Sequence, residues 1–302
     1  MERMDFRSRR PPWHIRRTGF PAAWRLIEAQ PSERPPVRIG ILDSGLDLHH
    51  AALKGILGTG VNLLKPGEPP MDENGHGTHV AGIIASAAGV WWSGGAAPCV
   101  VLHPVKIFDR TGVGRIGDIV QGLIWCGDHG MDLVNLSFGT DLKTSRALEQ
   151  AIAELERRPV LMVGAAGNDG RRGGVDFPGR YADVLAVAAS TRSDRLAPFS
   201  STGPEVDLIA PGSGVISLAP GGGFVRMSGT SMAAPHVTAA AALLLTMEPG
   251  LSPRAVRRRL QETAEWLPEL PTRAQGAGLL RADRLLRGRP GWPALDRQAR
   301  LK

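Results

Sequence analysis

Cysteine is scarce in this chain, and so is lysine. Two cysteines, Cys99 and Cys126, in 302 residues exclude a disulfide scaffold and any thiolate metal site. One bridge between them stays open, because its geometry cannot be read from sequence, and two free buried thiols are expected. Five lysines stand against 31 arginines, a compositional bias rather than a binding signal. Long apolar runs are missing too. The longest, 239–245, falls short of the roughly 20 residues that cross a bilayer. No apolar stretch of a secretory signal follows the start, where residues 1–12 are arginine-rich and broken by prolines. No internal repeat is visible. What remains is ordinary for a globular protein: 42% hydrophobic and 22% charged residues, enough for one large α/β domain or two small ones.

A net charge of +7 raises nucleic acid as a partner, but its distribution weighs against that. Residues 1–35 carry eight arginines against four acids, and residues 281–302 carry seven bases against two. The excess therefore sits at the two ends. No basic-aromatic stripe or groove-reading helix appears between them, so no nucleic-acid partner is expected, nor a membrane.

Apolar runs bounded by turn residues recur at 37–42, 100–107, 133–136, 160–165, 184–188 and 206–209. Continuous rather than alternating, they fit parallel strands covered on both faces. Between them lie helical patterns at 76–88, 117–129 and 144–157, so the alternation predicts a doubly wound α/β fold. Residues 233–247 are apolar nearly all round and predict a core helix, with Pro235 in its first turn where a missing N–H costs little. Ser252 and Pro253 open another helix as N-cap and N1, running to about Glu262. Residues 1–35 read as a basic arm packing on a catalytic domain of residues 36–286, and 287–302 as a basic tail. Both ends are rich in Pro and Arg and are expected to be loosely held.

Three glycine-rich segments carry the chemistry: Ile41-Leu42-Asp43-Ser44-Gly45, Asn74-Gly75-His76-Gly77-Thr78-His79, and Ser228-Gly229-Thr230-Ser231-Met232-Ala233-Ala234-Pro235-His236. Asp43 follows an apolar run, at the strand edge where catalytic groups of α/β sheets gather. His76 and Ser231 each begin a helix. A serine there lies near unpaired N–H groups and the positive dipole end, which favours an oxyanion formed when its Oγ attacks a carbonyl. In this pattern Ser231 attacks, His76 takes and returns the proton, and Asp43 fixes the imidazole tautomer.

These blocks, in Asp–His–Ser order, resemble those of the subtilisin-like serine proteases, peptidase family S8. A fourth block agrees, Val163-Gly164-Ala165-Ala166-Gly167-Asn168, and the resemblance gives Asn168 the role of oxyanion-hole donor beside the Ser231 N–H. It runs from about Trp13 to about Leu286 and implies a three-layer fold with a mostly parallel central sheet. It implies a monomeric serine endopeptidase acting on peptide or protein substrates with no cofactor. Ser137, Phe138 and Gly139 should then form a strand on one side of an extended peptide, and Gly112, Val113 and Gly114 a strand on the other. Asp176, in Asp176-Phe177-Pro178, falls in register near the floor of the S1 pocket, where a carboxylate would favour Arg or Lys at P1. The alternative is an Asp176 turned outward to cap its loop.

Two departures from the family stand out. Its tight calcium site uses an Asp nine residues after the catalytic one, where this chain has Ala52. That site is expected to be absent, with Trp91 and Trp92 packing there, while weaker calcium sites stay open. No inhibitory prodomain precedes Trp13, which leaves a mature fragment, an intracellular member or one that folds unaided, and Met1 favours the latter two. Location is left open. His79 is expected to pack structurally rather than to join His76 as a metal ligand, so no metal is expected at the site. A homologue that binds peptides without cleaving them is the competing reading.

Overall fold

Apolar runs with branched side chains become strands when both faces can be covered. In the computed structural model, which describes residues 10–29, 35–90, 99–140, 145–170 and 174–287, they do so seven times. The strands are β1 (Val37–Asp43), β2 (Val61–Asn62), β3 (Val100–Lys106), β4 (Leu133–Leu136), β5 (Leu161–Ala165), β6 (Val184–Ser190) and β7 (Val206–Pro211). They form one parallel sheet in the order β2-β3-β1-β4-β5-β6-β7. The consecutive strands β3 and β4 flank β1, one on each side. The carboxyl end of β1 is thus the switch point where a crevice opens, and Asp43 is its last residue.

The helices are α1 (Trp13–Arg17), α2 (Phe20–Glu28), α3 (His76–Ala87), α4 (Ile116–Asp128), α5 (Arg146–Arg157), α6 (Thr230–Met247), α7 (Pro253–Glu262), α8 (Thr272–Gln275) and α9 (Ala282–Arg287). Ser145 and Ser252 cap α5 and α7, each accepting the N–H three residues on. On one face of the sheet, α3 and α6 cover Ile39, Ile41, Val163 and Val187. On the other, α4 and α5 cover Leu42, Val105, Val134 and Met162. The result is three layers, as expected. The antiparallel hairpin of β8 (Val215–Leu218) and β9 (Phe224–Met227) stands apart from the sheet. By length and composition α6 could cross a membrane, but 83% of it is buried within the protein. Both cysteines are free, and burial pushes both thiols up, Cys99 to about 11.

Two expectations need correction. A loosely held arm is not what residues Trp13 to Glu28 form. Their few apolar side chains turn inward: Ile15, Phe20 and Ala23 are fully buried, and Trp24 Nε1 donates to the Ala87 carbonyl at 2.7 Å. Arg17 then bridges Asp194 and Glu265, at 2.9 and 3.0 Å. Secondly, α6 starts at Thr230, three residues before the apolar pattern does, because Gly229 serves as its N-cap. Pro235 therefore lies beyond the first turn.

The N-terminal segment is also fastened by histidines. His14 Nδ1 lies 2.9 Å from His236 Nε2, both rings fully buried. Burial first, then the proximity of His236, drives the His14 pKa well below its usual value. Burial also takes His236 to about 4. The unfolded chain thus accepts protons near pH 6.5 that the fold refuses, so stability is full above that pH and is lost as pH falls toward 4. Denaturant midpoints are expected to drop between pH 7.5 and pH 5. His236→Gln should remove up to about 2 kcal/mol of that drop; an unchanged drop would contradict this.

Candidate active site

Asp43 is fully buried, where a polar group is costly unless it is hydrogen-bonded. Its Oδ1 accepts the Ser44 N–H at 2.8 Å, and its two oxygens lie 2.8 and 2.9 Å from His76 Nδ1. A carboxylate only accepts, so Nδ1 carries the hydrogen and Nε2 of the neutral ring is left as a base. The approach is close because residue 77 is glycine: a Cβ there would strike the Gly45 carbonyl and lie 3.2 Å from Asp43 Cβ.

His76 opens α3 after Gly75, whose φ is 102°. His76 N and Gly77 N of that helix start go to Asn74 Oδ1 and Ser44 Oγ, while other donors around it converge on Asp72, which is 6% exposed. Its Oδ1 accepts from Ser44 Oγ, Asn74 N and Gly75 N at 2.8, 3.0 and 2.8 Å. Its Oδ2 accepts from Thr78 N and Thr78 Oγ1 at 2.9 and 2.6 Å. Burial by itself lowers the His76 pKa, but the charge and hydrogen bond of Asp43, joined by the charge of Asp72, raise it above 6.5. Lys106, in register with Asp43, donates from Nζ to the Ser44 and Met71 carbonyls at 2.8 Å each, tying the Asp72 loop to the end of β1.

Ser231 is the second residue of α6 and 8% exposed, in the turn whose N–H groups have no helical acceptor. Asn168 follows β5, and its Oδ1 accepts from Thr230 N and Thr230 Oγ1 at 3.0 and 3.1 Å. A main-chain N–H can only donate, so the amide oxygen faces Thr230. The Asn168 Nδ2 side then faces Gly229, where a Cβ would lie 3.7 Å from it. Ser137 Oγ donates to the Ser231 carbonyl at 2.9 Å. The carboxyl edge of β1, β4 and β5 thus gathers Asp43, Ser137 and Asn168 with the starts of α3 and α6.

The two expected peptide-gripping strands are not strands here. Residues 137–139 run on past β4 outside the sheet. Gly112 has φ 81°, and the Asp109 carboxylate accepts from Thr111 N and Val113 N, folding the segment into a turn with Val113 64% exposed. Asp176 is half-buried and set between the two site segments: a Cβ on Gly139 would lie 2.6 Å from its Oδ2, and one on Gly167 closer still. His79 turns away from Asp43, its Nε2 3.2 Å from the Val225 carbonyl, and burial brings its pKa to about 4. Ala52 sits in a 3-10 turn, Ala51–Leu53, capped by His50, and its methyl offers a cation nothing. Trp91 and Trp92 lie outside the described residues. Among the described residues, no group of three or more His, Cys, Asp or Glu is gathered as metal ligands.

A model of the Subtilase family, Peptidase_S8, matches residues 35–282. The chain belongs to the subtilase family. It is 39% identical to Subtilisin Savinase of Lederbergia lenta over 274 residues, 90% of this chain and 97% of that one. Identity to Alkaline elastase YaB of Bacillus sp. (strain YaB) is 40% over 273 residues, 90% of this chain and 69% of that protein. A crystal structure of a cold adapted subtilisin-like serine proteinase superposes with a TM-score of 0.77 at 28% identity, covering 90% of this chain and 98% of that one. As a subtilase, the chain is a serine endopeptidase, a hydrolase of peptide bonds that needs no cofactor for catalysis.

Asp72 and Lys106 were not legible as site residues. The signal for Asp72 is a carboxylate just ahead of a helix start, the usual place for a capping acid. Lys106 gives a weaker one, a lone cation ending an apolar strand. Titration of the His76 ring by NMR is expected to give a value above 6.5, and Asp72→Asn is expected to lower it. A value that stays put or rises would contradict the role given to the Asp72 charge.

Proposed function

We propose that the chain cleaves peptide bonds through an acyl-enzyme on Ser231. As Ser231 Oγ bonds to the scissile carbonyl carbon, its proton passes to His76 Nε2, and the carbonyl electrons move onto oxygen. Asn168 Nδ2–H and the Ser231 N–H hydrogen-bond that oxyanion. Collapse of the intermediate expels the amine, which takes the proton from His76, and water then releases the acyl group by the same route in reverse. Asp43 holds the ring in the tautomer this requires. The observation that carries the reading is the Asp43–His76 contact at 2.8 Å, which leaves Nε2 basic at the sheet edge where α6 begins.

The substrate in this reading is an extended peptide lying between residues 112–114 and 137–139, and the enzyme acts as a monomer. Val113 spends its N–H and C=O on Asp109, so pairing falls to the Gly112 carbonyl and to Gly114. Asp176 between Gly139 and Gly167 favours Arg or Lys at P1, since a half-buried carboxylate gains from a cationic partner. The alanine at position 52 favours a chain without the family's tight calcium site.

A fluorophosphonate probe is expected to label Ser231 in the native protein, and Ser231→Ala to abolish both labelling and cleavage. A folded protein that binds peptides but takes no label would instead be the silent homologue. In a peptide library, P1 Arg and Lys are expected to lead, and Asp176→Ala to cost that preference about tenfold or more. The P1 assignment fails if Phe or Leu lead and Asp176→Ala changes nothing.

A further inference from the structure

Ser231 has a helical carbonyl without a helical donor. In an α-helix the C=O of residue i accepts from the N–H of residue i+4. For Ser231 that residue is Pro235, which has no N–H and whose ring crowds the carbonyl four residues back. A buried carbonyl must find a donor elsewhere. It does so outside the helix, in the Ser137 hydroxyl, at 2.9 Å.

A hydroxyl has one proton to give, and Asn135 decides where this one goes. Asn135 Nδ2 donates to Ser137 Oγ at 2.7 Å, which leaves the Ser137 proton for the Ser231 carbonyl. The amide is held in that sense by Thr238, whose Oγ1 donates to Asn135 Oδ1 at 2.9 Å. The other acceptor in reach of Thr238, the Ala234 carbonyl, is farther, at 3.3 Å. Asn135 and Thr238 are fully buried and Ser137 is 1% exposed, so solvent does not substitute for a lost bond. Donation thus runs one way, from Thr238 to Asn135 to Ser137 to the Ser231 carbonyl. With the amide reversed, Ser137 would donate to Asn135 Oδ1, and the Ser231 carbonyl would face a lone pair.

We propose that Thr238 and Asn135 are positioning residues for the reaction at Ser231. Through Ser137 they fix the turn from which the Ser231 Oγ and N–H project, restoring the restraint that Pro235 removes. The proposal rests on Ser231 being the nucleophile. Its test is steady-state cleavage of a chromogenic peptide by Thr238→Val, Thr238→Ala and Thr238→Ser, with melting curves to confirm folding. Val keeps the shape and Ala only removes volume, so both delete the hydroxyl without crowding. Both are expected to lower kcat on the order of tenfold with KM within about twofold, the mark of a misplaced nucleophile rather than a weakened binding site. Thr238→Ser keeps the hydroxyl and should recover most of kcat. The proposal is overturned if folded Val and Ala variants keep wild-type kcat, or if Ser falls as far as Val. An unlabelled, inactive wild type would instead sink the nucleophile assignment. The relay is then read directly from the Asn135 side-chain amide signals by NMR, which should move in Thr238→Val and hold in Thr238→Ser. Signals that hold in both overturn it.

Discussion

A carboxylate shut away from water at the end of β1 sets the terms for the rest of this site. Asp43 is 0% exposed, so its oxygens depend on the Ser44 N–H and the His76 ring for hydrogen bonds. That requirement fixes the imidazole orientation. It brings the start of α3 against β1, which demands glycine at position 77, and it needs a loop held rigidly enough to keep the ring in place. Asp72 supplies that rigidity by accepting five hydrogen bonds from residues on both sides, and Lys106 anchors the same loop from β3. Asp43, Asp72 and Lys106 are all buried, so each depends on its partners.

The two halves of the site are built by different means. The Asp–His half uses ionised groups and a helix start closed by a carboxylate. The serine half uses neutral groups: a helix start left open toward the cleft, an amide clamped by Thr230, and a carbonyl that Pro235 has stripped of its helical bond. Thr230 N is spent on Asn168 Oδ1 and Met232 N on the Gly229 carbonyl, which leaves the Ser231 N–H between them for an oxyanion. The open helix start is also poorly restrained, and bonds from β4 compensate. The same edge of the sheet therefore serves chemistry and support together.

Much of this was legible in the sequence, for identifiable reasons. Asp43 could be found because an apolar run ends in an acid, and α5 because Ala147, Leu148, Ala151, Ile152 and Leu155 recur at helical spacing, all but Ala147 buried. Pro235 was placed in the first turn of α6 because Thr230, Ser231 and Met232 carry no apolar period; a glycine cap, not a pattern, begins the helix. Residues Trp13 to Glu28 were read as loosely held because the arginines and prolines of the arm outweigh its few inward residues. Contacts such as Thr238 with Asn135, 103 residues apart, leave no local trace at all. Pairing across the fold is decided by the sheet order, which periodicity does not reveal.

The central claim is that Ser231 carries the acyl group between two chemical steps. Rapid-mixing kinetics with an activated ester substrate test it most directly. The expected result is a burst of leaving group that approaches one equivalent per chain, followed by slower turnover, with the burst absent in Ser231→Ala. Turnover that proceeds undiminished in a folded Ser231→Ala protein would contradict the claim.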